Sequence, residues 1–379
     1  VSTRKSMHWI PIHTDGYDKE VIKVWKPPVI KIIDPSWQHI VDARAASPNS
    51  WFVLRDHPLS EQHEDMFLDP VGTGKRHAER WDQRLWELNA DPERTWISGI
   101  NEPHVWEKDG IPKTVDYTVS LMEEADRRGL QVSALEIGHG WPANLGEDLP
   151  VNWEPYDAIR EVMMRTRRHV LEIHSYWDTR GPLFNWKWWA GRFTQCPWQV
   201  PIFIGECGID QFVNGPGNSE SRGWAAHMDS NAYMDQWHHL ELEVSKDLRV
   251  WAWMIFSYDG AKPWGTLDIR QCRDKVLQYV ERAGGTQIVH PWAFLTTQLT
   301  FGQALKAAAE AHDVISVNPD AALMKEGRRK NLLYTSNEFP FSFNGINYVC
   351  QRFMEPFSNV VTILFCITGQ WEKVMSHSY

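Results

Sequence analysis

The sequence predicts an α/β chain: a (β/α)8 TIM barrel followed by a small C-terminal α+β appendage. Two observations carry this. Eight short, near-continuous apolar runs recur along the chain, with helix-patterned stretches between most of them. Together they occupy roughly 280 residues, close to the length of about 250 that such barrels typically take.

The runs are "HWIPIH" (8–13), "VIKIID" (29–34), "SWFVLRD" (50–56), "TWISGIN" (95–101), "QVSALEIG" (131–138), "HVLEIHSY" (169–176), "VPIFIGEC" (200–207) and "RVWAWMIFS" (249–257). Apolar stretches of this length suit parallel strands covered on both faces. Between them, "RHAERWDQRLWELNA" sets Trp81, Leu85 and Leu88 at helical spacing. "TVDYTVSLMEEADRRGL" follows Pro112 and ends near Gly129, the expected start and stop signals. "EPYDAIREVMMRTRR" and "WAAHMDSNAYMDQWHHLELEV" precede the sixth and eighth runs, while the first two connections are less clearly helical. A doubly wound open sheet is the competing architecture. It would want a Gly-rich phosphate loop after the first strand, and "PIHTDGYDKE" supplies none.

The barrel is placed at residues 1–290 and the appendage at 293–379. In the tail, "FGQALKAAAEAH" reads as a helix. "FSFNGINYVCQRF" reads as a hairpin turning at Asn344-Gly345, and "NVVTILFCI" (359–367) as a further strand. "FVNGPGNSESRG" (212–223) reads as a long loop on the face where barrel enzymes work.

Composition narrows the function. The net charge of −10 argues against a nucleic-acid partner, which would want clustered Lys and Arg. No apolar run reaches the length of about 18 residues that a membrane span needs. The five cysteines show no zinc spacing and no even framework, so free thiols are expected. No apolar signal-peptide core follows Val1. The localisation stays unknown, with secretion after processing open. The 22 tryptophans, many in polar loops, suggest flat surfaces for stacking a ligand beside an ordinary share of core Trp.

In a barrel, catalytic residues stand at the C-terminal ends of strands. Glu102 ends the fourth run and Glu206 the seventh, so they would face each other across the barrel mouth. Pro103 ends the strand and sets its exit, leaving Asn101 and Glu102 at the rim. Two carboxylates flanking a cleft are what glycosidic-bond cleavage requires: one protonates the leaving oxygen, the other attacks the sugar or activates water. Either carboxylate alone is more often an ordinary strand exit; their joint placement is the specific signal.

Over about residues 5–285 the chain resembles the retaining (β/α)8 glycoside hydrolases of clan A, and within them the cellulase- and mannanase-containing family five. Asn101-Glu102-Pro103 resembles that clan's Asn-Glu pair after strand four, and Glu206 its Glu after strand seven. "IGECG" resembles the family's Gly-Glu-Phe-Gly, with Cys207 in the Phe position. His174-Ser175-Tyr176 resembles its His-x-Tyr. Trp253 stands for the strand-eight Trp, with Trp251 competing. Arg55 stands for the basic residue near the nucleophile, which the family more often takes from strand two. The resemblance implies double displacement, with Glu206 as nucleophile and Glu102 as acid/base. It implies no cofactor.

Further candidates to touch sugar are His13 and Asp15 after strand one, His57 after strand three and His139 after strand five. Trp141, Trp177, Trp186, Trp188 and Trp189 are candidates to rim the cleft or simply to pack its loops. Glu136 could be a buried carboxylate paired with Arg55. Asp178, Asp210 and Asp259 form no cluster of diagnostic spacing, so no metal is expected. The expected partner is an oligo- or polysaccharide of β-glucan or mannan type, cleaved by an endo-acting enzyme. The alternatives are a cell-wall or phage-associated glycosidase acting on peptidoglycan, and a non-catalytic carbohydrate-binding barrel. Oligomeric state is not readable.

Overall fold

The computed structural model describes residues 5–11, 17–138, 140–142, 151–211, 221–258, 264–281 and 290–293. Farther on it describes 323, 330, 333–334, 339–343, 346–354, 361–367 and 374–378. The chain divides into two compact units, Val1–Trp292 and Ala293–Tyr379.

In the first unit eight parallel strands close into a barrel in sequence order. They are β1 (Lys5–Trp9), β2 (Val29–Ile33), β3 (Trp51–Arg55), β4 (Thr95–Ser98), β5 (Gln131–Ile137), β6 (Val170–Trp177), β7 (Ile202–Ile209) and β8 (Val250–Tyr258), and β8 pairs back onto β1. Nearly every strand residue is buried, as a sheet with helices outside and side chains inside demands. β1 ends at Trp9 and not at His13. The expected contact from His13 therefore falls past the strand, outside the described residues, as does that from Asp15.

Helices α1 (Tyr17–Trp25) and α2 (Trp37–Ala46) fill the first two connections, which the sequence marks only weakly. α1 buries Val21, Ile22 and Trp25 at helical spacing, and α2 starts with a capping box between Ser36 and His39. Short helices α3 (His57–Ser60) and α4 (His63–Leu68) lead into α5 (Pro70–Glu87), where Asp69 caps Gly72 N at 3.0 Å and Pro70 opens the first turn. α6 (Gly110–Arg127), α7 (Asp157–Thr166), α8 (Ser230–Val244) and α9 (Arg273–Glu281) complete the outer ring among the described residues.

Three departures from regular strand geometry aim the polar interior. Between β6 and β7 the register runs Ile173↔Ile204 and then His174↔Glu206, so Gly205 is an extra residue on β7. A bulge of this kind re-aims the side chain that follows it. Gly205 is required there: a Cβ would lie 1.7 Å from Oε1 of Glu172. β5 carries a similar irregularity between Ala134 and Ile137, with Leu135 and Glu136 at positive φ (85° and 36°). Glu102 also has φ 44°. Non-glycine residues in this region cost of order 1–3 kcal/mol each and cluster at functional sites.

In the second unit, β9 (Leu333–Tyr334), β10 (Phe339–Phe343), β11 (Ile346–Met354), β12 (Val361–Ile367) and β13 (Met375–Ser378) form an antiparallel sheet. Its order is β10-β11-β12-β13, with β9 also on β11. Phe343 pairs with Ile346, as a two-residue hairpin requires; Asn344 and Gly345 themselves lie outside the described residues. β12 is paired on both sides, so "TILFC" is an inner strand and not a free edge. Phe353, Leu364 and Cys366 form its small core with Leu323. The helix expected at 301–312 lies outside the described residues. All five cysteines are free and buried.

Candidate active site

The mouth of the barrel holds a cleft of about 730 Å³, lined by both Glu102 and Glu206. Glu102 lies in the segment after β4 and Glu206 on β7, yet they share one neighbour. His174 Nδ1 lies 2.9 Å from Glu102 Oε1 and 3.6 Å from Glu206 Oε2. Those two oxygens can therefore be no farther apart than the two distances together, about 6.5 Å. The carboxylates differ in setting: the Glu206 side chain is 7% exposed, that of Glu102 40%.

Glu206 is held by cations and a hydroxyl. Tyr176 donates to Oε2 at 2.6 Å, and Arg55 Nη1 to Oε1 at 3.3 Å. His8 Nε2 and the Lys31 ammonium approach Oε1 at 3.4 and 3.8 Å. Burial alone would raise the carboxyl. The charge of His174, the His8 contact and the charge of Lys31 outweigh it and hold Glu206 well below the ordinary carboxylate range. For His174, burial opposes the proton, but Glu206, Glu102 and Glu172 together raise the imidazole from 6.5 to about 10, so it is cationic at neutral pH. His8 goes the other way. Burial, helped by the charges of Lys31 and Arg55, overrides Glu206 and lowers it to about 4.

Beneath the cleft lies a buried ionic layer. Lys31 Nζ donates to Glu172 Oε1 at 2.5 Å and to Glu136 Oε2 at 3.2 Å. Gly99 N donates to the other oxygen of Glu136 at 3.0 Å, and the Ser133 hydroxyl to the other oxygen of Glu172. Burial works against the charge of Lys31, and the three carboxylates Glu136, Glu172 and Glu206 overcome it. Glu136, Glu172 and His174 bring ligand atoms within 4.8 Å of one another, the one such group among the described residues. The Lys31 ammonium is already seated on both of these carboxylates.

Of the other expected site residues, Asn101, His57 and Trp141 line the cleft alongside Arg55 and Tyr176. Asn101 Oδ1 is buried without a hydrogen-bond partner among the described residues. Glu136 pairs with Lys31 more closely than with Arg55, whose Nη2 and Nε go to Glu61 (2.9 Å) and Ser60 (3.0 Å). Two aromatic assignments are corrected. Trp177 is fully buried and donates its indole N–H to Gln236 at 2.7 Å, so it packs the barrel wall. Trp253 is buried in the core edge-to-face with Trp237, because its place on β8 lies below the mouth. The β8 aromatic at the cleft is Phe256, three residues nearer the strand end. Trp251 is likewise core, stacked on Phe203. Trp186 and Trp188 pack on the core. Asp178 and Asp210 pair with Arg180 and Arg222. His139 and Asp259 lie outside the described residues.

The sequence reading passed over His8, Lys31, Glu172 and Trp106. A signal existed for Lys31 and Glu172: a charge inside an otherwise apolar run ("VIKII", "VLEIH") is not tolerated in a buried strand without a partner.

No protein-family model and no curated protein matches the chain. Solved structures do. The chain is similar to a β-glucuronidase of Bifidobacterium dentium complexed with coumarin-3-O-glucuronide, at 13% identity over 76% of this chain and 48% of that one, TM-score 0.48. It is similar to a hyperthermostable endo-1,4-β-D-mannanase of Thermotoga petrophila, at 9% identity over 74% and 99%, TM-score 0.45. A broad-specificity endoglucanase of Clostridum cellulovorans matches at 8% identity over 77% and 93%, TM-score 0.42. The chain spans about half the length of the glucuronidase structures. At such identities the likeness concerns fold alone; that this chain is a (β/α)8 barrel follows from its own closed order of eight parallel strands.

Proposed function

We propose that the barrel is a retaining β-glycosidase acting on a β-glucan or mannan type of glycan, with Glu206 as nucleophile and Glu102 as acid/base. The observation that carries this is the placement of both carboxylates on the one nitrogen of His174. The bound of about 6.5 Å on the nearer oxygen pair accommodates the close pairing of double displacement, about 5–5.5 Å.

In the first step a Glu206 oxygen bonds to the anomeric carbon, the bond from that carbon to the glycosidic oxygen breaks, and the Glu102 proton goes to the departing oxygen. In the second, Glu102 takes a proton from water as the water oxygen bonds to the anomeric carbon and Glu206 leaves. The buried, ionised Glu206 fits the nucleophile. Tyr176 and Arg55 aim it, and the open setting of Glu102 suits a group that must meet first a leaving group and then water. The unpartnered Asn101 Oδ1 offers an acceptor to a sugar hydroxyl. The cleft is within the range of about 300–1,000 Å³ usual for ligand sites, room for a short stretch of glycan in endo action.

The test is hydrolysis of a panel of aryl β-glycosides, β-glucans, mannans and peptidoglycan by wild type and Glu206→Gln, with product anomers followed by NMR. β-Anomer first and loss of turnover in the variant is the expected result. An α-anomer first would rule out retention. Glycan binding without turnover would favour a binding barrel, and turnover confined to peptidoglycan would move the substrate to the cell wall.

A further inference from the structure

Resting on that reading of the carboxylate pair, we infer that Trp106 is the platform for the leaving group: the sugar ring on the departing side of the scissile bond stacks on its indole. Trp106 is 56% exposed and, unlike the exposed Trp37 and Trp86, lines the cleft. Its ring is braced. It lies 4.8 Å from the ring of His104, which stacks in turn on His63 at 4.0 Å and an interplanar angle of 13°. His104 Nδ1 is fixed by Glu107 Oε1 at 3.0 Å. An aromatic held on one side while more than half exposed is pre-organised for a flat apolar ligand face, and a pyranose ring presents such a face.

The side of the cleft decides which ring it holds. Trp106 sits four residues after Glu102, in the segment between β4 and α6, so it shares a wall with the proton donor. The acid must stand beside the oxygen that departs, so the departing ring lies over the acid's own segment. Glu206, on β7, is closed in. Gly138 leaves the Glu102 carboxyl its place, since a Cβ there would stand 3.2 Å from its Cδ.

The experiment compares substrates with and without a departing sugar: cellotetraose and mannotetraose against the β-fluorides of cellobiose and mannobiose. Fluoride leaves without a ring to stack and needs little proton donation. For Trp106→Ala, kcat/KM on the tetrasaccharide that wild type cleaves falls about tenfold or more. On the matching fluoride it stays within about twofold, which also shows the variant folded and its nucleophile intact. Trp106→Phe recovers most of the tetrasaccharide rate. Equal losses on both substrates, or none on either, overturn the platform assignment while leaving the glycosidase standing. A wild type inert on all four overturns the β-glucan or mannan reading and this inference with it.

Discussion

His174 hydrogen-bonds Glu102 through Nδ1 at 2.9 Å, from the position on β6 that the bulged register sets beside Glu206. One buried cation thus ties the proposed acid/base to the proposed nucleophile, although the two carboxylates, one past the end of β4 and one within β7, lie more than a hundred residues apart. If the two carboxylates hold separate roles, their removal differs in kind. Glu206→Gln loses at least about a thousandfold on every substrate, since no covalent step remains. Glu102→Gln loses about 10²–10⁴-fold on substrates with a poor leaving group and far less on a dinitrophenyl glycoside, which needs no proton. Equal losses for both variants across leaving groups would refute the division of roles.

Gly138 tests how closely Glu102 must be placed. A Cβ there would stand 3.2 Å from Cδ and 3.3 Å from Oε1 of Glu102, so the carboxyl must shift by a few tenths of an ångström. Gly138→Ala lowers kcat about tenfold with the melting temperature unchanged, because small misplacements of a reacting group are expensive. Unaltered kcat would show that the donor finds its position from the substrate.

Lys31 tests the ionic layer. Lys31→Met strands Glu136 and Glu172 in the barrel interior and costs about 3–5 kcal/mol in urea unfolding. A cost under about 1 kcal/mol would mean that one carboxyl simply takes up a proton in its place.

Stability falls on both sides of neutrality, for opposite reasons. Burial lowers His8, His77 and His290 from 6.5 to about 4 and His169 to about 3. Unfolded, these rings bind protons near 6.5, so the stability they contribute is present above 6.5 and is lost as pH falls toward 4. His174 is raised to about 10, so its contribution is whole below 6.5 and is lost as pH rises through about 10. Calorimetric melting from pH 4 to 10 should show both declines, the alkaline one reduced in His174→Asn. A melting temperature flat from 6.5 down to 4 would contradict the buried neutral histidines.

What the sequence by itself determined is the barrel and the two carboxylates at its mouth. Eight apolar runs read as buried strands because a strand covered on both faces has no polar side to show, and the structure has eight. Strand ends pointed to Glu102 and Glu206 because the rule for barrels is positional and needs no contacts. Only the tertiary structure decided their surroundings. The register that sets His8 beside Lys31, and the extra residue Gly205 that sets Glu206 beside His174, depend on pairings between strands that no single run contains. The depth of a tryptophan in the barrel is equally invisible along the chain. Trp253, matched to a strand-eight sugar-binding Trp, and Trp177, expected at the rim, are core, whereas Trp106 emerges into the cleft. Periodicity tells a buried strand from a loop, but height along the barrel axis and the reach of a side chain across it are set by where strands start and slip against one another. Those are properties of the closed sheet and not of any segment in it.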